Sequence, residues 1–261
     1  GADREGGGFP AALRLYGQGG AAMPYVFGHR GAAAVAPENT MASFTKALEA
    51  GADGIELDFQ MTRDGHLVVI HDQTLKRTAG KDGWVKDHTL AELRRLDAGS
   101  WFDARFAGER IPTLEEVLDL ARDRVFVNAE IKNLPYRYPG IEEKLLEAVR
   151  HTGFPLDRLI VSSFDHVSLE RVQALEPHVA VASLFSHYPV AFNELPGTVL
   201  HPHWGVVDEA FMQKARAAGR KVNVWTANDP WGWERLVAVG VDGIITDDPA
   251  RLREWLARRG A

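Results

Sequence analysis

From residue 25 to its C-terminus, this chain alternates short apolar runs with amphipathic segments, and that rhythm leaves few folds open. Eight runs read as strands: residues 25–29, 54–60, 124–132, 158–164, 179–185, 198–203, 221–226 and 243–247. Segments of helical spacing lie between them, near 40–50, 112–122, 140–151, 166–176, 208–218, 230–239 and 249–258, with a poorly marked turn of helix near 189–195. Repeated βα units build a parallel sheet covered by helices, and eight units in roughly 240 residues is the size of an α/β TIM barrel, (β/α)8. The helix ends are punctuated accordingly. Asn39 or Thr40 can cap a helix that Gly51 stops, Thr113 and Glu116 form a capping box, and Asp229-Pro230 and Asp248-Pro249 each set a cap before a first-turn proline.

A ninth strand-like run, Leu67 to His71, breaks the alternation. Only Met61 to His66 separate it from the second strand, too few for a parallel crossover, and Asp64-Gly65 is a hairpin turn signal. The run is therefore expected to fold back antiparallel, with His71 roughly opposite Leu57. The following stretch, about 72–111, carries Trp84, Trp101 and Phe102 among many charges, and it is too long for a plain loop. It is expected to be a small insertion packed over the barrel mouth.

Within the second strand, Glu56 and Asp58 share one face while Ile55, Leu57 and Phe59 take the other. Burying two like charges side by side is costly unless a cation lies between them. The next barrel strand repeats the pattern, with Asn128, Glu130 and Lys132 on one face. Glu56, Asp58 and Glu130 are oxygen donors suited to one hard divalent cation, Mg²⁺ or Ca²⁺. His29 and Arg30 close the first strand, and barrel sites lie at the C-terminal strand ends, so these two should face the carboxylates, His71 and Lys132. Two proton carriers, a metal cage and two cations are the equipment that cleavage of a phosphodiester requires. Phe164 and Trp225, at later strand ends, can wall the substrate or serve as rim aromatics. Glu38 and Asn39 can support ligands, although Asn39 is equally well placed as a helix cap. His201, His203 and Trp204 lack a carboxylate partner at suitable spacing and read as structural or rim residues.

Composition narrows the function classes. With 45% hydrophobic and 25% charged residues, the 261-residue chain is of ordinary globular character, and a net charge of -6 argues against a nucleic-acid surface. No run of about 18 apolar residues offers a membrane span, so no stable membrane insertion is expected. Cysteine is absent, which excludes disulfides, thiol catalysis and cysteine-ligated zinc. Residues 1–22 lack a charged start followed by an apolar run, so they read as an N-terminal tail or a vector remnant, and Met23 can be the native start. Residues 23–261 are expected to form one catalytic domain, in the cytoplasm unless a leader has been removed.

Several short motifs stand in order along the chain: His29-Arg30-Gly31, Pro37-Glu38-Asn39-Thr40, Glu56-Leu57-Asp58, His71-Asp72, Ile111-Pro112-Thr113-Leu114, Glu130-Ile131-Lys132, Trp225-Thr226 and Gly243 to Asp247. From about Tyr25 onward, the chain resembles the bacterial glycerophosphodiester phosphodiesterases. The resemblance implies metal-dependent hydrolysis of a glycerophosphodiester to glycerol 3-phosphate and an alcohol. It implies His29 and His71 as the general acid/base pair, Glu56, Asp58 and Glu130 as metal ligands, and Arg30 and Lys132 as phosphate contacts. Similarity to the phosphatidylinositol-specific phospholipases C further implies attack by the glycerol 2-hydroxyl and a cyclic phosphate intermediate. The rivals are a metal-dependent lyase or isomerase, a phospholipase D-like enzyme acting on lysophospholipids, and a phosphate-binding module. A small, water-soluble glycerophosphodiester is the expected partner. Neither the head-group alcohol nor the oligomeric state is encoded in an identifiable residue.

Overall fold

The computed structural model describes residues 23–189 and 191–260; the tail expected over 1–22 lies outside them. Eight parallel strands form the barrel: β1 (Tyr25–His29), β2 (Gly54–Met61), β4 (Phe126–Ile131), β5 (Leu159–Ser163), β6 (Ala180–Phe185), β7 (Val199–Pro202), β8 (Lys221–Val224) and β9 (Gly243–Thr246). They run in the order β1-β9-β8-β7-β6-β5-β4-β2, and β1 pairs again with β2, so the ring closes as a TIM barrel. The remaining strand, β3 (Leu67–Val69), is antiparallel to β2, as the short connection requires. β1 pairs with β2 only as far as His29 and Glu56, and β3 takes the same edge of β2 beyond that point.

Alternation along the strands sorts the core into two layers. Phe27, Ile160, Ala182, Val199 and Ile245 pack together inside the barrel. Ile55, Leu57 and Phe59 point outward and pack with residues of α1 (Met41–Glu49) and α4 (Leu114–Ala121), among them Phe44, Leu114 and Leu118. All six of these side chains are fully buried, each worth about 1.5–3 kcal/mol in apolar transfer. The other long helices are α5 (Ile141–Thr152), α6 (His166–Leu175), α7 (Glu209–Ala217), α8 (Pro230–Val239) and α9 (Pro249–Arg259). Among the described residues, no helix is long and apolar enough to cross a membrane.

Capping settles one alternative. The Thr40 hydroxyl accepts from the Ser43 N–H at the start of α1, so Thr40 is the cap and the Asn39 side chain is released for other work. Thr113 and Glu116 form the full capping box of α4, and Asp229 and Asp248 cap α8 and α9 ahead of their prolines.

Two expectations are refined. The turn of helix expected near 189–195 is a 3-10 turn over Phe192–Glu194; Pro189 and Pro196 bracket too few residues to nucleate an α-helix. The expected strand 67–71 leaves the sheet after Val69, although the Ile70 N–H still donates to Asp58 O at 3.0 Å and keeps the register that sets His71 opposite Leu57. The hairpin turn itself lies where expected, with Gly65 at φ 82° and the Thr62 N–H donating to His66 O at 2.8 Å. The insertion contains the short helices α2 (Lys76–Ala79) and α3 (Leu90–Leu93) and has its own apolar centre, including Val68, Leu75, Val85, Leu93 and Ile111.

Candidate active site

The carboxylates converge because of register. β2 and β4 pair in parallel with Asp58 beside Glu130, and alternation places Glu56 one step below on the same inward face. Glu56, Asp58 and Glu130 each present an oxygen within 4.8 Å of the others, and all three are buried or nearly so. One oxygen of each carboxylate is tied to a protein donor. Glu56 Oε2 accepts from the Arg30 backbone N–H at 2.9 Å, Asp58 Oδ2 from Asn39 Nδ2 at 2.9 Å, and Glu130 Oε1 from Lys132 Nζ at 2.9 Å. Both Arg30 and Asn39 adopt positive φ, 51° and 58°, which turns the loop after β1 back over the site.

Electrostatics show a site short of positive charge. Burial, reinforced by Asp58 and Glu130, pushes the Glu56 carboxyl well above its usual range. Burial and Asp58 raise Glu130 to about 7 against the opposing pull of Lys132. Burial would raise Asp58 too, but Arg30, Lys132 and His71 together hold it well below the usual range. The Arg30 guanidinium lies 3.3 Å from Asp58 Oδ2 and 3.0 Å from Glu38 Oε1, while Lys132 Nζ is 3.9 Å from Asp58 Oδ1. Arg30 and Lys132 thus face three clustered carboxylates. The shared oxygen donors and the raised Glu56 and Glu130 fit a hard divalent cation at their centre.

The two histidines flank this cluster. His29 Nδ1 lies 2.6 Å from Asp247 Oδ1, and its Nε2 is 3.9 Å from Glu56 Oε2. His71 Nδ1 lies 2.8 Å from Asp72 Oδ1, and its Nε2 faces Lys132 Nζ at 3.3 Å. Asp247 is in turn fixed by Asn228, whose Nδ2 donates to Oδ2 at 2.7 Å. Asp72 is gripped by Arg77, which draws its carboxyl down to about 2. The same guanidinium donates to both Glu38 oxygens at 2.7 and 2.8 Å, so Arg77 ties the insertion to the loop after β1.

His29, Arg30, Glu56, His71, Glu130, Lys132, Phe164 and Trp225 all line one cavity. Asp58 lies behind it, fully buried. Phe164 and Trp225 meet edge to face at 5.6 Å and, with Leu184 and Ile245, make the apolar side of the cavity. His201 is fully buried between Asn128 and Asn223, and desolvation lowers its pKa to about 3; His203 packs against Trp225 at 5.2 Å.

Sequence reasoning assigned no part to Asp247, Asp72, Arg77 or Gln60. Asp247 could have been found by closing the barrel, which sets the end of the last strand beside the end of the first. Gln60 continues the inward row of Glu56 and Asp58 and was readable by alternation. Arg77 gave no signal, because its contacts depend on how the insertion folds.

Comparison with known proteins agrees with this geometry. The family model described as the glycerophosphoryl diester phosphodiesterase family matches residues 29–251. A glycerophosphodiester phosphodiesterase of Caldanaerobacter subterraneus subsp. tengcongensis is 46% identical over 241 residues, covering 90% of this chain and 98% of that protein. The solved structure of an Oleispira antarctica phosphodiesterase in complex with the product sn-glycerol-3-phosphate aligns with a TM-score of 0.83 at 33% identity, over 90% of this chain and 97% of that one. A glycerophosphodiester phosphodiesterase from Agrobacterium tumefaciens aligns at 0.76 and 32% identity, over 87% of this chain and 98% of that one. The chain belongs to the glycerophosphoryl diester phosphodiesterase family.

Proposed function

We propose that this phosphodiesterase hydrolyses small glycerophosphodiesters to glycerol 3-phosphate and an alcohol in a divalent-cation-dependent reaction, with His29 and His71 as the acid/base pair. The observation that carries this reading is the pair of imidazoles on either side of the carboxylate cluster, each with Nδ1 on a carboxylate and Nε2 turned to the site. A carboxylate on Nδ1 fixes the tautomer and ring orientation, leaving Nε2 to take or give a proton. Glu56, Asp58 and Glu130 would hold the cation, either Mg²⁺ or Ca²⁺, which supplies Lewis-acid polarisation and charge neutralisation when bound. Arg30 and Lys132 line the same cavity and would offset the negative charge of the phosphate, Arg30 while braced by Glu38. One imidazole would accept the proton of the attacking glycerol 2-hydroxyl and the other would protonate the departing alkoxide; the reverse transfers would then let water open the resulting cyclic phosphate to glycerol 3-phosphate. Phe164 and Trp225 would press against the carbon skeleton of the substrate and exclude water from that side.

The product in the Oleispira antarctica complex supports glycerol 3-phosphate as the common product. Phosphate-product detection on glycerophosphocholine, glycerophosphoethanolamine, glycerophosphoglycerol and a cyclic phosphate, with and without chelator, tests the reading. No turnover of any diester in the presence of Mg²⁺ or Ca²⁺ would overturn it.

A second reading, action on lysophospholipids, is favoured by one observation. Trp84, Trp101, Leu134, Tyr136, Phe164, Tyr188 and Trp231 are exposed large apolar residues, and all lie in segments that follow the C-terminal ends of strands. Equal or greater kcat/KM on lysophospholipid micelles than on the deacylated diesters would select it.

A further inference from the structure

Gln60 stands on β2 two residues beyond Asp58, on the same inward row, and is fully buried. Its carboxamide Nε2 lies 3.0 Å from Ile70 O, 3.1 Å from His71 O and 2.8 Å from Asp72 O. Three successive carbonyls thus converge on one NH₂ group, just where the chain leaves β3. The opposite end of the amide, Oε1, accepts from the Tyr138 hydroxyl at 2.9 Å. An inverted amide would set its oxygen against three carbonyl oxygens, so this orientation is the one that satisfies the groups present. Tyr138 is itself anchored, its backbone N–H donating to Asn133 Oδ1 at 2.7 Å and Asn133 Nδ2 donating to Ser168 Oγ at 2.8 Å on α6.

We propose that Gln60 is a positioning residue for the His71 imidazole, holding the backbone of residues 70–72 so that Nε2 meets the cavity, with the Tyr138 hydroxyl setting the direction of the amide. The inference rests on His71 being catalytic. Its physical content is that His71 lies beyond the last strand pairing of β3, so its main chain is located by side-chain hydrogen bonds instead of a sheet ladder. Loss of those bonds lets the imidazole drift, and a shift of about 1 Å in a reacting group can cost on the order of 10²-fold in rate.

The test measures kcat, KM and divalent-cation affinity by calorimetry for Gln60→Ala, Gln60→Glu and Tyr138→Phe, each alone and combined with His71→Ala. Gln60→Glu keeps the shape but turns an acceptor toward three acceptors. The expected result is a fall in kcat of about 10²-fold for both Gln60 variants, with KM and cation affinity within about 2-fold of the parent, and no further loss in the His71→Ala background. Tyr138→Phe keeps the ring and should lose about 3- to 10-fold in kcat, again only when His71 is present. Should the Gln60 variants fail to fold, Tyr138→Phe carries the same cycle. Unchanged kcat, or losses that multiply in full with that of His71→Ala, would overturn the assignment. Normal turnover of His71→Ala alone would remove the catalytic reading beneath it, which separates the two failures.

Discussion

His29 and His71 each set Nδ1 on an aspartate and turn Nε2 to the site, but by different construction. His29 ends a barrel strand whose neighbours on both sides are hydrogen-bonded strands, and its partner Asp247 follows β9 directly. His71 lies past the end of β3, in a segment held by Gln60 from below and by the Asp72–Arg77–Glu38 network from the insertion. The first imidazole takes its place from the barrel ladder; the second takes it from side chains that the barrel and the insertion jointly present. The geometry at His29 should therefore tolerate loss of single side chains better than the geometry at His71.

The largest expected effect strikes both halves equally, because the carboxylate cluster lies between them. Exhaustive chelation, or Glu56→Ala, should reduce phosphodiesterase activity to background in a product-release assay. Full activity in either case would remove the cation from the mechanism. His29→Ala and His71→Ala come next, each lowering kcat by on the order of 10² to 10⁴ while leaving cation binding nearly intact. If one of the two retained normal turnover, that histidine would be structural and the comparison would collapse to a single acid/base group.

A smaller effect distinguishes the two constructions. Asn228→Ala removes a donor to Asp247, yet β1 and β9 still fix the backbone on both sides of the His29 pair. Arg77→Ala removes the donors to both Asp72 oxygens and to Glu38, and it unpins the insertion from the loop after β1. Partners that orient an active imidazole are typically worth about 10- to 100-fold, and Arg77→Ala should fall in that range while Asn228→Ala falls below it. Steady-state kinetics with a soluble diester measure both; equal losses would show that the strand offers His29 no advantage.

The barrel was legible because its signal is repeated over eight alternating units, the weakest of them being the one whose connection holds only a 3-10 turn at Phe192–Glu194. The cluster of Glu56, Asp58 and Glu130 was legible for the same reason, since period-2 alternation and parallel register follow from the strand pattern alone. His71 beside the carboxylates was reached from the hairpin, where Gly65 and the short turn leave little choice of register. The supporting contacts were another matter. Asn39 carried two readings until Thr40 proved to be the cap, and Arg77 acts on Glu38 across an insertion whose path no periodicity records. Local pattern determines which face a residue takes, whereas a long charged side chain on a loop finds its partner only once the fold is complete.

The smallest effect is thermodynamic and again separates the two regions, now by pH. Glu56 and Glu130 are raised, so between the ordinary glutamate value and about 7 the native protein binds more protons than the unfolded chain. Stability of the cation-free protein should therefore fall as pH rises through that window. Asp72 has the opposite sign: drawn down to about 2 by Arg77, it contributes stability above the ordinary aspartate value that is lost as pH falls toward 2. The carboxylate cluster thus weakens the apo fold on the neutral side, and the Asp72–Arg77 contact weakens on the acid side. A divalent ion held by Glu56 and Glu130 would compete with protons there, so its stabilisation should grow with pH. At an ion concentration about 100 times Kd the gain is about 2.7 kcal/mol, or roughly 5 °C in Tm for a chain of this size. Thermal melts at pH 5 and pH 8, with and without Mg²⁺ or Ca²⁺ at one fixed concentration, should show the larger shift at pH 8 and a smaller pH dependence in Glu130→Gln, where Glu56 alone still titrates. A shift equal at both pH values would mean that the ion does not displace protons from these carboxylates and binds elsewhere.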